Sequence, residues 1–514
     1  MKVLLTTLNS KYVHSNLALK YLYAVALDWE ADVDIKEFTI NNPSDYVFGE
    51  WIRGGYDVIC LSCYIWNIRQ TCDLAEDIKR ARPQTVIALG GPEVSFETEA
   101  FLREHPWADF VLMGEGEGVF YRWMEQLFSE MPDYGSVRGL AWRKDGTVVV
   151  NDPAPPLKFE SVSFPYAYLP AEDDKVLYYE SSRGCPFRCA YCLSSVDKNI
   201  RVLPLERVKS ELSYFIYKKV KQVKFIDRTF NFDAQRSRHI FRYLIENDNG
   251  VTNFHFEMCG DLIDDETLEL LKTARKGLFQ FEIGVQSTDP QVLRSCGRGG
   301  NLEKLSRAVK QLRELGTIHL HLDLIAGLPG ETFQGVRTSF NDVYNWKPDA
   351  LQLGFLKVLK GSPMAEMAQR YGIIARRTPP YETIRTDAIS AEELVRLKMI
   401  EEVLDLYWNR GGFRRTLDVL TDDVYSTPFD FYQEFSGFYY EKGYQHCSHK
   451  KEDLYRILDR FVRERVHTLG EGASDRGEPR NAALEIRRLL KRDMADTLNP
   501  DAIKKFEKKG WELT

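Results

Sequence analysis

Eleven short runs rich in β-branched residues or leucine, most of them separated by amphipathic helical stretches, constrain this chain more than any other feature. The first five are Lys2–Leu8, Val33–Phe38, Asp57–Ser62, Thr85–Leu89 and Asp109–Leu112. Such runs alternating with helices predict a parallel, doubly wound α/β sheet. Sheets of this kind bind ligands at the carboxyl ends of their strands. The next six runs are Val176–Ser181, Val223–Asp227, Asn253–Met258, Gln280–Gln286, Ile318–Leu324 and Ala350–Val358, with helices such as Pro204–Lys219 and Leu302–Leu315 between them. That pattern is a β/α barrel, and six units in place of eight predict an open, partial one whose active face lies at the strands' C-terminal ends.

Between the two series, Asp145-Gly146 separates two β-rich runs and predicts a hairpin over 136–151, because glycine tolerates the positive φ of a tight turn. A proline-dense, aromatic-rich stretch, NDPAPPLKFESVSFPYAYLP, then reads as an ordered linker. After about residue 366 helical periodicity dominates, over Ala391–Tyr407, Lys451–His467 and Asn481–Ala495. The expected organisation is a doubly wound domain at 1–130, hairpin and linker at 131–175, partial barrel at 176–365 and a mainly helical C-terminal domain at 366–514, covering the substrate side. There is no internal repeat.

With 69 basic against 76 acidic residues the formal charge is −7, so no broad phosphate-neutralising surface for nucleic acid is expected. At 44% hydrophobic the 514 residues can bury a core in each domain. No apolar run approaches the ~18 residues of a membrane span, and Met1–Ser10 is too short for a signal-peptide core. A cytoplasmic protein is expected, and its nine cysteines then read as thiols or metal ligands, not as disulfides.

Three of those cysteines form the sharpest local signal. Ser182-Arg183-Gly184-Cys185-Pro186-Phe187-Arg188-Cys189-Ala190-Tyr191-Cys192 is a CxxxCxxC directly after the first barrel strand. Three thiolates in one loop suit zinc, copper or iron–sulfur. Structural zinc needs a fourth ligand, and no Cys or His lies between His105 and Cys185 or between Cys192 and His239. A distant ligand could complete the set. An incomplete set also fits a four-iron cluster with one iron left open to substrate.

The motif, with an aromatic residue just before the third cysteine, resembles the radical S-adenosylmethionine superfamily. The resemblance implies that Cys185, Cys189 and Cys192 hold a [4Fe-4S] cluster whose open iron chelates S-adenosylmethionine, and that an electron from the cluster cleaves the sulfonium to methionine and a 5′-deoxyadenosyl radical. It extends over residues 176 to about 365. Asp227, in Phe225-Ile226-Asp227-Arg228, stands where the family contacts the methionyl amino group. Glu257 ends the third strand, and Gln286, in Gly284-Val285-Gln286-Ser287, resembles the fourth-strand motif. Leu324-Ile325-Ala326-Gly327-Leu328-Pro329-Gly330-Glu331 resembles the fifth-strand loop beside the adenosyl group, with Asp323 where the family often has Gly.

In the first sheet, Ser62, Gly90-Gly91 with Glu93, and Gly114-Glu115-Gly116 lie at successive strand ends. Glycines there expose backbone amides to a ligand. Ser62 with Gly90-Gly91 resembles the cobalamin-binding Rossmann-like domain, and its place before a radical-SAM barrel is that of the cobalamin-dependent subgroup. Members that ligate cobalt through histidine carry Asp-x-His-x-x-Gly. Here Tyr12-Val13-His14-Ser15-Asn16-Leu17 keeps only the His, so His14 reads as a loop hydrogen-bonding residue, without the second-shell acceptor a ligating imidazole needs. The resemblance implies methylation of an unactivated carbon of an unknown substrate, through a cobalt that takes a methyl group from one S-adenosylmethionine. It also implies an electron donor of flavodoxin or ferredoxin type. Ring contraction or cyclisation with the same cofactors is an alternative.

Two other readings stay open. In a methylthiotransferase-like protein Cys60, Cys63 and Cys72 would hold a second cluster, although Cys60 falls in an apolar strand and core packing accounts for it better. A cobalamin sensor without catalysis would leave the CxxxCxxC unexplained. His446-Cys447-Ser448-His449 reads as a surface loop, the aromatics from Tyr425 to Tyr444 as core, and Lys504, Lys505, Lys508 and Lys509 as a solvated helix face. The C-terminal region resembles an uncharacterised extension found on some cobalamin-binding radical-SAM proteins.

Overall fold

The structure, a computed structural model, describes residues 1–466 apart from 30, 31, 171 and 173, and residues 482–503 apart from 502. Lys504, Lys505, Lys508 and Lys509 lie outside the described residues.

The first sheet has seven strands: β1 Lys2–Asn9, β2 Asp32–Thr39, β3 Val58–Ser62, β4 Val86–Gly90, β5 Phe110–Leu112, β6 Leu140–Lys144 and β7 Thr147–Val150. Their order is β2-β1-β3-β4-β5-β6-β7, with β1 to β5 parallel. Strands buried on both faces account for the continuous apolar runs. Leu4, Ile59 and Ile87 pack into one layer, and Val3, Cys60 and Ala88 into the other. The hairpin of β6 and β7 is no mere connector. It pairs antiparallel with β5 through Phe110–Trp142 and extends the sheet. The topology reverses between β1 and β3, and in such sheets the ligand crevice opens there.

Next come β8 Leu177–Tyr179, a small antiparallel ladder of β9 Ser182–Arg183 and β10 Arg201–Val202, then β11 Gln222–Phe225, β12 Asn253–Met258, β13 Phe279–Gln286, β14 His319–Ala326 and β15 Ala350–Phe355. The order β15-β14-β13-β12-β11-β8 is wholly parallel and unclosed, the predicted half-barrel. Its outer face carries buried Val223, Phe254, Phe256, Phe279, Phe281, Leu320 and Leu322 under the helices. Its concave face alternates with these and is polar.

The helices Ala391–Leu404, Pro428–Glu441, Lys451–Phe461 and Ala482–Thr497 form the C-terminal region. Phe429, Phe431, Tyr432, Phe435, Phe438 and Tyr439 are at most 1% exposed, so the aromatic stretch is core, as expected. Phe429 and Tyr432 pack on Phe340 of the helix Phe333–Asn345, making one hydrophobic core with the barrel. This region was expected to cover the substrate side, but its helices lean on that outer helix and on edge strand β15. A strap over 357–387, including β16 Ile374–Ala375 and β17 Thr383–Arg385, reaches across to the first domain instead. No described helix is long and apolar enough to cross a membrane.

Candidate functional site

At the C-terminal ends of β1, β3, β4 and β5 lies a cavity of about 770 Å³. Ser62, Gly90, Gly91, Gly114, Glu115 and Gly116 line it on one side, and Tyr178, Glu180, Arg183, Leu193, Ile226 and Arg228 of the barrel close the other. Its glycine edge has a steric cause. Gly91 has φ +104°, and a Cβ there would sit 2.5 Å from the Cys63 carbonyl oxygen. Gly114, at φ +79°, would project a Cβ into open space. A long, largely apolar crevice with bare backbone along one edge fits a large flat cofactor and its tail.

Two carboxylates named from sequence turn out to be engaged by the protein. Glu93 does not line the cavity. It is buried and accepts a hydrogen bond from Tyr381 of the strap at 2.8 Å. Glu115 accepts a bidentate pair from Arg201 at 2.6 and 2.9 Å and the Leu157 amide at 2.7 Å. Arg183, just before the first cysteine of the motif, also reaches Glu117 of the first domain and Glu180. These contacts join the two domains around the cavity. His14 hydrogen-bonds Tyr178 of β8 through Nδ1 at 2.7 Å, which is the loop role expected for it.

The cysteine loop leaves β9 at Gly184, where φ is +93° and a Cβ would lie 2.5 Å from the Asn199 carbonyl oxygen. Cys185 and Cys189 are buried and Cys192 is half-buried. Ala190 donates its amide to the Cys296 carbonyl at 2.8 Å and accepts the Met364 amide at 2.9 Å, so the loop is pinned from two sides. Among the described residues no three His, Cys, Asp or Glu side chains close around a single ion. The donor set is three thiols carried on one pinned loop, and ligation by thiolates alone suits an iron–sulfur cluster.

Asp227 sits under this loop. Its carboxylate accepts the Ser181 amide at 2.8 Å, the Ser181 hydroxyl at 2.5 Å and the Ser182 hydroxyl at 2.7 Å. Burial pushes its pKa up and those donors pull it back. It braces the strand that presents Cys185. Glu257 lies on β12, and its side chain has no hydrogen bond or ion pair among the described residues; burial raises its pKa against the opposing charge of Arg228. Gln286 ends β13 at φ +72°, an uncommon conformation for a non-glycine residue. Its side-chain oxygen is buried without a partner. The Tyr191 hydroxyl accepts from Arg298 at 3.3 Å.

Arg298 was not singled out from sequence. Its guanidinium also lies 3.8 Å from the Cys189 sulfur and bonds the Gly284 carbonyl. The signal was one cation inside Cys296-Gly297-Arg298-Gly299-Gly300, and spacing cannot show where such a side chain turns. Glu331 closes the fifth-strand loop motif, which gave it no role of its own. It is 1% exposed, accepts from Ser287 at 2.7 Å and keeps its other oxygen unpaired; burial pushes its pKa up to about 8.

The cysteines proposed for a second cluster do not converge. Cys60 packs in one layer of the first sheet and Cys63 in the other. Burial raises all three thiols, Cys72 to about 12. Cys447 is exposed and His449 bonds the Tyr444 carbonyl at 2.7 Å, as a surface loop would.

Comparison with known families agrees with this division. Residues 3–122 match the B12 binding domain and residues 179–343 the Radical SAM superfamily. The chain joins a B12-binding domain to a radical SAM domain. These are the domain families of cobalamin and of S-adenosylmethionine with its iron–sulfur cluster. Residues 369–511 match DUF4080, a family of unknown function. The chain is 26% identical over 67% of its length to the cobalamin-dependent radical SAM methyltransferase TokK of Streptomyces tokunonensis, of which 53% is covered. It is 29% identical over 55% of its length to 2-(S-pantetheinyl)-carbapenam-3-carboxylate methyltransferase of Streptantibioticus cattleyicolor, of which 44% is covered. The chain thus spans about half the length of these relatives. The fold is shared with the cobalamin-dependent S-adenosylmethionine radical enzyme OxsB, at TM-score 0.65 and 17% identity over 99% of this chain and 81% of that one. It is shared also with TsrM of Kitasatospora setae, at TM-score 0.65 and 15% identity over 87% and 99%.

Proposed function

We propose that the chain is a cobalamin-dependent radical SAM methyltransferase that methylates an unactivated carbon. The observation that carries the reading is the shared cavity. It opens at the strand ends of the first sheet and ends at Leu193, next to Cys192, and at Arg228 beyond β11. A corrin held there and a cluster held by Cys185, Cys189 and Cys192 would face a common space. When bound, these groups and S-adenosylmethionine supply reductive cleavage and a methyl carrier.

The chain's own residues provide the frame. Gly90, Gly91, Gly114 and Gly116 leave backbone to cradle the corrin tail, with Ser62 beside them. Asp227, through Ser181 and Ser182, sets the direction of the cysteine loop. Arg298 places a fixed positive charge beside the Cys189 sulfur. Gln286 and Glu257 present unpaired polar atoms to S-adenosylmethionine. Apolar walls, among them Leu61, Leu89 and Leu112, keep water from the reacting centre. A flavodoxin- or ferredoxin-type donor would supply the electron, in the cytoplasm.

The test is anaerobic turnover of the reconstituted protein with methyl-labelled S-adenosylmethionine and a cell metabolite extract. Label in a carbon-bound methyl group, with cobalamin absorbance and one four-iron cluster per chain, supports the reading. Cleavage without transferred label, or two clusters without corrin, overturns it.

A further inference from the structure

The concave face of the half-barrel carries a polar inventory of which the reading above uses only Glu257. Strand register places Tyr178 beside Lys224, Lys224 beside His255, and His255 beside Gln280. One step further along the strands, Glu257, Glu282 and His321 lie in a row. A third row sets Gly284, Asp323 and Gln352 side by side. The carboxylates differ in what they meet. Glu282 is matched: Lys224 Nζ lies 2.9 Å and His255 Nε2 3.0 Å from its Oε2, and these partners hold its pKa well below the usual range despite burial.

Asp323 has no such match. Its Oδ1 is sealed from solvent and makes no hydrogen bond. His321 Nε2 lies 3.3 Å away, yet that atom too lacks a bond of proper geometry. Burial lowers the pKa of the His321 imidazole, which disfavours its charged form. Arg298 feels Asp323 only at a distance, being committed to Cys189, Tyr191 and the Gly284 carbonyl. Among the described residues no lysine or arginine pairs with Asp323 or Glu257. Gly284, its neighbour in register, presents no side chain beside it.

Burial and the neighbouring charges of Glu282 and Glu257 push the Asp323 carboxyl well above the usual carboxylate range although part of its side chain still meets solvent, and a ligand that brings a positive charge there favours its ionised form. We propose that the substrate carries a protonated nitrogen, an ammonium or amidinium group, and seats it on Asp323. The imidazole of His321 and the amide of Gln352 complete the contact, and Glu257 adds to the field. The substrate is thus a polar, basic molecule. This inference rests on the half-barrel being the substrate chamber of the enzyme proposed above.

The experiment separates a metabolite extract by ion exchange into cation-retained, anion-retained and unretained fractions. Each is given to the cluster- and cobalamin-loaded protein with methyl-labelled S-adenosylmethionine. Label is expected in the cation-retained fraction. Asp323→Asn, with Asp323→Ser as a second variant, is expected to lower kcat/KM for that fraction at least tenfold while S-adenosylmethionine binding stays within twofold. Label confined to the other fractions, unchanged kinetics in both variants, or weakened S-adenosylmethionine binding overturns the proposal, the last by assigning Asp323 to the cosubstrate. A second readout does not need turnover: ultrafiltration with the loaded wild-type protein should retain amine-reactive small molecules of the cation fraction that Asp323→Asn lets pass. Retention without labelling would defeat methyl transfer and leave this site standing; equal retention by both proteins would defeat the site.

Discussion

The two halves of the central space are built by opposite means. The first sheet makes its site by omission: Gly90, Gly91, Gly114 and Gly116 withhold side chains, and its carboxylates Glu93 and Glu115 are spent on Tyr381 and Arg201. The half-barrel makes its site by placement, with three thiols, Arg298, Gln286, Glu257 and Asp323 aimed inward from strand ends and inner strand positions. A site made of backbone selects for size and shape. A site made of unpaired polar atoms selects for charge, and it holds its groups at a cost to stability.

The largest effect should fall on the barrel alone. Cys185→Ala, Cys189→Ala or Cys192→Ala is expected to abolish S-adenosylmethionine cleavage and remove cluster iron, with cobalamin retention unchanged; loss of corrin together with iron would show that the halves are not separately built. Next, Gly91→Ala should reverse the pattern. Its Cβ would enter a 2.5 Å contact at φ +104°, costing about 1–3 kcal/mol and releasing cobalamin, while iron content stays normal. Gly114→Ala meets nothing within 4 Å, so it should cost only about 1 kcal/mol; equal losses from both would break the steric account.

A smaller effect concerns pH. Burial pushes the Glu331 carboxyl up to about 8, from the ordinary 4.5 of a free glutamate. The folded chain then binds more protons than the unfolded one between those values, so its contribution to stability is present at low pH and is lost as pH rises. Glu331→Gln should flatten this slope, giving a gain of roughly 1–3 kcal/mol at pH 8 and none at pH 4, read from denaturant midpoints. The smallest effect is expected from Cys72→Ala, within about 1 kcal/mol; a fall in iron content there would revive the second cluster.

Most of the architecture was legible because two-sided burial writes continuous apolar runs. Asn253–Met258 and Leu302–Leu315 have the bounds the sequence predicted. The pairing of the 136–151 hairpin with β5 was not legible, since a turn signal says nothing of what its outer edge meets. The cysteine loop and the glycine edge were readable from spacing and residue type. Asp227 and Glu93 were readable as important but not in their partners: Ser181 lies 46 residues from Asp227, and Tyr381 lies 288 from Glu93. Arg298 escaped notice, and Glu331 was legible only as the end of a loop motif, because orientation and an unpaired atom are properties of the folded chain.

The tie between Glu93 and Tyr381 has a temporal side. A ribosome delivers the first domain long before residue 381 emerges, and domains fold as they emerge. Until then Glu93 has no Tyr381 to accept from, so this one hydrogen bond closes only after most of the chain has been made.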